Sequence, residues 1–293
     1  MCWHPLAFHD FPFRNVQQWR ERTPKSDEIW AGPFIDLPNE TAVRGLQVFI
    51  EAQAASALAS PGLRHAVFWV GFRQEFHMAF SQQRPFRLPL SICEDYRPWP
   101  GAPDHIWTNH LLIICAQVIQ YCFGDQFQPS YSQYKELVRR KSEWLGNCPA
   151  SFSPVYSESP DRAHGELFPK VWYMYDWHIV AVQSVGLANI LLMAYNPSMA
   201  RIGPNQKQEI QAVDTNIKST VMGICGIALS NRQSPTSLLT ACIATVMCAD
   251  RFDDQTEQEA LMDIVVNMNR DNNYWPSTAM QTRLRETWNW GRW

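Results

Sequence analysis

At 293 residues, of which 46% are hydrophobic, the chain is long enough to bury one large core or two closely packed halves. A formal net charge of -3 and the lack of any block of basic residues exclude a general attraction to nucleic acid phosphates, so we expect no direct DNA binding. Aromatic residues make up 13% of the chain and include 13 tryptophans, so many rings must be buried or must line a surface.

Residues 1–40 contain five prolines and scattered aromatic residues without a hydrophobic period, which predicts an irregular arm that wraps the surface. From Thr41 to the C-terminus, helical periodicity dominates and strand alternation is nearly absent. We therefore predict an all-α fold of about nine helices, with a single globular domain over residues 41–293. The predicted helices cover residues 41–59, 62–82, 104–123, 131–145, 169–195, 205–230, 235–250, 254–271 and 278–290.

The clearest helical pattern lies in residues 205–230, where apolar residues recur at steps of three and four and form one stripe. The stripe consists of Ile210, Val213, Ile217, Val221, Ile224 and Ala228. Ser234 before Pro235 is typical of an N-cap followed by proline in the first turn of the next helix. Gly124 and Gly146 are expected to end two helices as left-handed C-caps.

The eight cysteines predict reduced, mostly buried thiols in a nuclear or cytoplasmic protein, because no secretory signal opens the sequence. They lack the Cys-x2-Cys spacing of zinc sites, and the histidines at 105 and 110 lack a third ligand, so no metal is expected. The most apolar window, residues 179–195, is interrupted by Gln183, Ser184 and Asn189. It predicts a core helix, and we expect no membrane contact.

The run Asp253-Asp254-Gln255-Thr256-Glu257 allows two interpretations. In an all-α protein it could belong to a metal-dependent terpene cyclase, whose carboxylates hold magnesium against a diphosphate. No second metal motif follows it, and Asp254 with Glu257 three residues later is also a good helix start. We predict helix capping. No hydrolase, phosphate-loop or dinucleotide-binding motif occurs in the sequence, so we expect no cofactor.

Two segments combine aromatic rings with ionisable groups and supply the candidate site. The candidate residues are Trp69, Arg73, His77, Trp172, Asp176 and His178. The first three recur at i, i+4 and i+8 on one helix face, where the guanidinium can lie against the indole. Because buried charges need partners, we expect the arginine of the first segment to meet the aspartate of the second. The set is either purely structural or lines a mostly apolar pocket for a small organic ligand.

Several runs follow one another in order from about Thr41. They are VFIEAQAASAL, LRHAVFWVGFRQEFHMAFSQQRPFRLPL, IWTNHLLIICAQVIQYCFGD, FPKVWYMYDWHIVAVQ, LLMAYNP, CGIALSNR and MCADRFDDQTEQEALMDIV. Together they resemble the regulatory domain, or middle homology region, of fungal zinc-cluster transcription factors. The resemblance implies an all-α domain that regulates activation, in some members by sensing metabolites.

Two features depart from that family. The zinc-cluster pattern, Cys-x2-Cys-x6-Cys followed by a second such half, is absent, so none of the family's zinc-binding or DNA-contacting residues can be transferred to this chain. The N-terminal helices that usually begin the regulatory domain are replaced by the arm over residues 1–40. Direct promoter binding of the usual kind is therefore not expected.

Two functions follow as expectations. The first is a transcription-factor-like regulatory protein of a fungal secondary-metabolite gene cluster, which acts through protein partners or a bound small-molecule metabolite. This expectation is compatible with a homo-oligomer. The alternative is a cofactor-independent cyclase, isomerase or Diels-Alderase-type pericyclase, since holding reacting atoms in place can itself supply much of the catalysis. In that enzyme Arg73, His77, Asp176 and His178 would be hydrogen-bond donors or proton shuttles beside the two tryptophans.

Overall fold

The computed structural model describes Leu58 and residues 62–124, 130–199, 205–271 and 277–290. The described backbone is predominantly helical, which confirms the all-α prediction. Its α-helices are α1 (Leu63–Gln82), α2 (Asp104–Phe123), α3 (Tyr131–Asn147), α4 (Asp176–Ala194), α5 (Gln206–Ser230), α6 (Pro235–Met247), α7 (Gln255–Asp271) and α8 (Ser277–Thr287). The arm predicted over residues 1–40 lies outside the described residues, as does nearly all of the helix predicted over residues 41–59.

Helices α2 and α4 form the centre of the fold and pack against each other along their length. By length and composition alone, each could cross a membrane. Most of each helix is nevertheless covered by the rest of the described chain. Gln183 inside α4 is bonded to both neighbouring helices: its Nε2 donates to the carbonyls of Ile224 and Ser237 at 3.1 Å each. These contacts are those of core helices, as predicted for residues 179–195.

Helix α5 lies across α4 and packs against α6. The C-terminal part of its predicted stripe, from Ile217 to Ala228, is buried in the core. The N-terminal part differs from the prediction, because Ile210 is 41% exposed and Val213 is only half-buried. The stripe is therefore used for packing along only half of the helix.

Helix α1 packs against α2 and α6 and ends at Gln83, whose φ of 50° is left-handed. This turn brings Arg84 back onto the buried carboxylate of Glu75, with Arg84 Nη2 at 2.8 Å from Glu75 Oε2. The backbone N–H of Arg87 donates to the same carboxylate at 2.8 Å. Glu75 thus receives several charge-assisted hydrogen bonds and closes the turn after α1.

Between α3 and α4 the chain forms two short antiparallel strands, β1 (Tyr156–Glu158) and β2 (Lys170–Trp172). The helix predicted over residues 169–195 therefore begins only at Asp176. The backbone of β2 is also bonded to residues at the end of α5, as described below. The periodicity of neighbouring residues does not reveal partners that lie so far along the chain.

The predicted helix ends are partly correct. Pro235 lies in the first turn of α6, as predicted, although the Ser234 hydroxyl makes no capping hydrogen bond. Gly124 ends α2 as predicted, but its φ of -71° is not left-handed. The C-cap predicted at Gly146 is wrong, because Gly146 lies inside α3, which continues to Asn147. The cap at Asp254 is confirmed, because its Oδ1 accepts from the backbone N–H of Glu257 at 2.9 Å.

Candidate functional site

Trp69, the first residue of the predicted site, belongs to the hydrophobic core. Its Nε1 donates to His65 Nε2 at 3.1 Å, one helical turn away. Its ring contacts Phe68, Phe72 and Tyr96, with ring centroids 5.0–5.3 Å apart. The polar group of Trp69 is therefore satisfied within α1, and its ring packs between α1 and the loop that precedes α2.

His77 is buried and contacts α6. Its Nε2 lies 3.2 Å from Thr240 Oγ1, and that hydroxyl lies 2.9 Å from the carbonyl of Thr236. Since a hydroxyl has one proton, Thr240 donates to Thr236 and accepts from a neutral His77 imidazole. Burial and, secondarily, the charge of Arg73 lower the pKa of His77 to about 4.

Arg73 is half-buried, and burial lowers the pKa of its guanidinium. It makes no hydrogen bond or ion pair with any residue of the described ranges, and the expected stacking on Trp69 is not formed. The predicted pair between Arg73 and Asp176 is also not formed. The buried arginine pair in this region is instead the one between Arg84 and Glu75.

The second predicted segment separates into exposed and buried residues. Trp172 is exposed on β2, and Asp176 is exposed in the first turn of α4, where its charge favours the positive end of the helix dipole. His178, two residues later, is fully buried. The structure therefore does not bring the six predicted residues together as the wall of one pocket.

His178 pairs with an aspartate that the sequence analysis did not assign to it. Its Nε2 lies 2.9 Å from Oδ2 of Asp104, in the first turn of α2. Thr108 supports the same junction, because its hydroxyl lies 3.0 Å from the carbonyl of Trp177. These contacts tie the beginnings of α2 and α4 together.

The other ring nitrogen of His178, Nδ1, is buried and has no hydrogen-bond partner. The imidazole lies among rings, with its centroid 4.6 Å from that of Phe152, 5.8 Å from Tyr175 and 6.2 Å from Trp177. A histidine oriented by a carboxylate can act as a base where its free nitrogen reaches a substrate. Here that nitrogen is closed off from solvent, so the pair fixes the helix junction.

The two strands and the residues that follow β2 present an exposed set of large apolar side chains. We call it the aromatic surface; it comprises Tyr156, Trp172, Met174 and Tyr175, which are between 49% and 63% exposed. Tyr156 and Trp172 are direct partners across the strands, so their side chains share one face. Glu158 and Lys170, the next pair on that face, are 3.4 Å apart and form a polar rim.

The aromatic surface is held in place from behind. The backbone N–H of Val171 donates to Ser230 Oγ at 3.0 Å, and that of Tyr173 donates to Asn231 Oδ1 at 3.2 Å. Asn231 Nδ2 donates in turn to the carbonyl of Val171 at 2.8 Å. Strand β2 is thus bonded to the end of α5. Of this surface, only Trp172 was among the predicted site residues. Trp172, Tyr173 and Tyr175 lie close together in the sequence, and this run of aromatic residues was the available signal.

The cysteines of the described chain fit the prediction of structural thiols. All seven are free, and most are buried. Burial raises the pKa of Cys115, Cys225 and Cys248 to about 12, which keeps these thiols protonated and unreactive. Within the described ranges, no group of three or more His, Cys, Asp or Glu side chains is arranged to hold a metal ion.

Comparisons of the chain with family models, with curated proteins and with solved structures find no match. The resemblance to a transcription-factor regulatory domain thus depends on the sequence runs alone.

Proposed function

We propose that this protein is a transcription-factor-like regulatory protein that acts by binding a protein partner through the aromatic surface. The observation that carries the proposal is the exposure of Tyr156 and Trp172 on the paired strands and of Met174 and Tyr175 just after β2, beside a charged rim. Exposed apolar patches with polar rims are typical of protein interaction sites. Tyrosine and tryptophan are also the residues that most often dominate binding energy at interfaces.

The anchoring of the strands supports this proposal. A binding surface gains affinity when it is already in its bound conformation, because less conformational entropy is lost on association. The bonds from Ser230 and Asn231 to β2 supply that rigidity. With a net charge of -3 and no basic block, such a protein would reach promoters through a DNA-binding partner, in keeping with the resemblance to a fungal regulatory domain.

The enzyme alternative has weaker support. Catalysis without a cofactor depends on a site that holds the substrate in a reactive geometry, with hydrogen-bond donors that reach it. Two of the groups proposed for it already have partners, since His77 Nε2 is bonded to Thr240 and His178 Nε2 to Asp104. Asp176 is exposed in the first turn of α4. Arg73 and Asp176 are the two candidates whose charged groups have no partner among the described residues, and they do not pair with each other.

Deletion of the gene in its source organism tests the proposal. We expect transcripts of neighbouring biosynthetic genes to fall, and wild-type protein to restore them. Trp172→Ser should fail to restore them, whereas Trp99→Ser, which removes an equally exposed tryptophan elsewhere, should succeed. Normal transcripts together with an accumulated, unreacted intermediate would instead establish the enzyme alternative.

A stability measurement separates lost binding from lost folding. Trp172 is half exposed and pairs with Tyr156 across the strands, so its replacement by serine should lower the free energy of unfolding by about 1–2 kcal/mol and leave the protein folded. Chemical denaturation of the purified variant measures this. A variant that folds normally and fails to restore transcription supports the aromatic surface as the contact site; a variant that restores transcription fully contradicts it.

A further inference from the structure

The two strands differ in what lies on their outer edges. Strand β2 has β1 on one side and the end of α5 on the other, because the N–H of Val171 donates to Ser230 Oγ at 3.0 Å. The carbonyl of Val171 accepts from Asn231 Nδ2 at 2.8 Å. On the other side of the pair, every residue from 153 to 159 is exposed. The outer edge of β1 therefore faces solvent.

The backbone polar groups of Ser157 point to this edge. Ser157 is the partner of Val171, whose N–H and carbonyl are directed away from β1 to α5. In an antiparallel pair such partners alternate between bonded and non-bonded, so Ser157 and Val171 form a non-bonded pair. The N–H and carbonyl of Ser157 thus point away from β2, and neither is bonded to a helix, loop or side chain of the described residues. Unpaired backbone groups on an exposed edge are a template for another strand.

The sequence of β1 is complementary to a second copy of itself. If two β1 strands pair antiparallel about Ser157, the N–H of each Ser157 meets the carbonyl of the other. Tyr156 of each copy then lies opposite Glu158 of the other, on the same face of the sheet. The two side chains are chemically matched, since the Tyr156 hydroxyl already donates to Glu158 Oε2 at 2.8 Å within one chain.

Neighbouring registers are less favourable. Pairing shifted towards the N-terminus needs the N–H of Val155, which already donates to the Trp172 carbonyl at 2.8 Å. Pairing shifted towards the C-terminus places Glu158 opposite Glu158 of the second copy, and like charges directly opposite are destabilising. The pairing is also kept short, because Pro154 and Pro160 flank the strand and lack an N–H.

We propose that the protein forms a two-fold symmetric dimer through the outer edge of β1, which joins the strands of two copies into one four-stranded antiparallel sheet. The outer edges of that sheet are the two β2 strands, whose free backbone groups are bonded to α5, so the assembly closes at two copies. The aromatic surfaces of both copies lie on one face. The contact is short, so we expect a weak dimer.

Sedimentation equilibrium of the purified full chain, from about 1 μM to about 1 mM, tests the dimer in the range expected for a small interface. We expect a reversible monomer–dimer equilibrium. Ser157→Pro removes the N–H that points outward and should raise the dissociation constant about tenfold or more, through the loss of two hydrogen bonds per dimer. Its circular dichroism should match that of the wild-type protein, since this N–H is not bonded to β2.

Ser157→Ala is the matched control, because it changes the same side chain and retains the N–H. It should leave the dissociation constant unchanged within about twofold, as for an exposed substitution. Equal weakening in the two variants would mean that the backbone edge is not the contact and would overturn the proposal. A wild-type protein that is monomeric over the whole range, or that forms assemblies larger than a dimer, would overturn it as well.

Disulfide cross-linking tests the register independently and does not depend on the folding of Ser157→Pro. In the proposed dimer the two Cα atoms at position 157 are about 5.5 Å apart, a distance that a disulfide spans. Those at position 159 are four residues apart along the strands, about 13 Å. Mild oxidation should therefore cross-link Ser157→Cys into dimers, and Ser159→Cys no more than the wild-type protein.

Equal cross-linking of the two cysteine variants would indicate random collision and contradict the register. The dimer does not rest on the function proposed for the aromatic surface, because Ser157 lies at the edge of the sheet and Trp172 on its face. A monomeric protein would leave the transcript experiment on Trp172 unaffected. Restoration of transcripts by Trp172→Ser would likewise leave the dimer standing.

Discussion

His178 Nε2 lies 2.9 Å from Asp104 Oδ2, and this contact joins the first turn of α4 to the first turn of α2. Since His178 is fully buried, Asp104→Ala would leave a buried nitrogen without a partner. We expect the free energy of unfolding to fall by about 1–3 kcal/mol, the cost of an unsatisfied buried polar group. Urea denaturation followed by circular dichroism measures the change.

Asp176→Ala is the control for this prediction. Asp176 occupies the first turn of α4 just as Asp104 occupies that of α2, but its side chain is exposed. Its loss should cost less than about 1 kcal/mol, the size of a single interaction with the helix dipole. Equal losses in the two variants would mean that the dipole, and not the bond to His178, accounts for the effect of Asp104.

The buried imidazole of His77 predicts a dependence of stability on pH. Its pKa in the folded chain is lowered to about 4 from 6.5, so the unfolded chain binds more protons between these values. Its contribution to stability is therefore complete above pH 6.5 and is lost as the pH falls towards 4. The slope from this one group is at most about 1.4 kcal/mol per pH unit.

His77→Gln removes the titrating group and retains a side chain that can bond to Thr240. In denaturation curves measured between pH 4 and 6.5, the variant should lose stability less steeply than the wild-type protein. The other histidines are present in both proteins, so the difference isolates His77. Parallel curves would show that His77 titrates alike in the folded and unfolded chains.

Local patterns predicted the helices well because helix formation depends on neighbouring residues. The bounds of α2 were predicted to the residue, and α1, α5 and α7 to within one. The N-cap of α7 at Asp254 was likewise predicted from the residue types and their spacing. The start of α4 was wrong, because β2 depends on Asn231, which lies about sixty residues further along the chain.

The candidate site was less predictable, since it depends on which helices meet. His178 was expected beside other polar residues, but its partner Asp104 is 74 residues away. Arg73 was expected to find an acidic partner, whereas the left-handed turn at Gln83 brings Arg84 to the available carboxylate, Glu75. Periodicity places a residue on a helix face, but it does not state which other face will cover it.

The cap of α7 predicts a difference between two adjacent aspartates. Asp254 Oδ1 accepts from the Glu257 N–H at 2.9 Å, so Asp254→Ala should destabilise the protein by about 0.5–2 kcal/mol. Asp253 is almost fully exposed, 3.6 Å from Lys218, and Asp253→Ala should cost less than about 0.5 kcal/mol. Thermal unfolding compares the two. Loss of a magnesium-dependent stabilisation in both variants would instead indicate that the carboxylates bind metal together.

Two glycines of α5 predict opposite responses to the same substitution. A Cβ at Gly226 would lie 2.3 Å from the carbonyl oxygen of Pro169, just before β2, whereas a Cβ at Gly223 meets nothing within 4 Å. Gly223→Ala should therefore stabilise the protein by about 0.4–1 kcal/mol, because alanine restricts the unfolded chain and favours the helix. Gly226→Ala should destabilise it by about 1–3 kcal/mol, because backbone must move to relieve the overlap.

Denaturation of both variants measures these changes in the free energy of unfolding. Both substitutions exchange glycine for alanine in the same helix, so the two variants differ in what surrounds the new Cβ. The close approach at Gly226 also positions the residues that lead into β2, so Gly226→Ala should displace the aromatic surface and fail to restore transcription in the deletion strain. Gly223→Ala should restore it. If both variants were equally stable, α5 would not hold Pro169 at this distance, and the rigidity attributed to the strands would have to come from Ser230 and Asn231 alone.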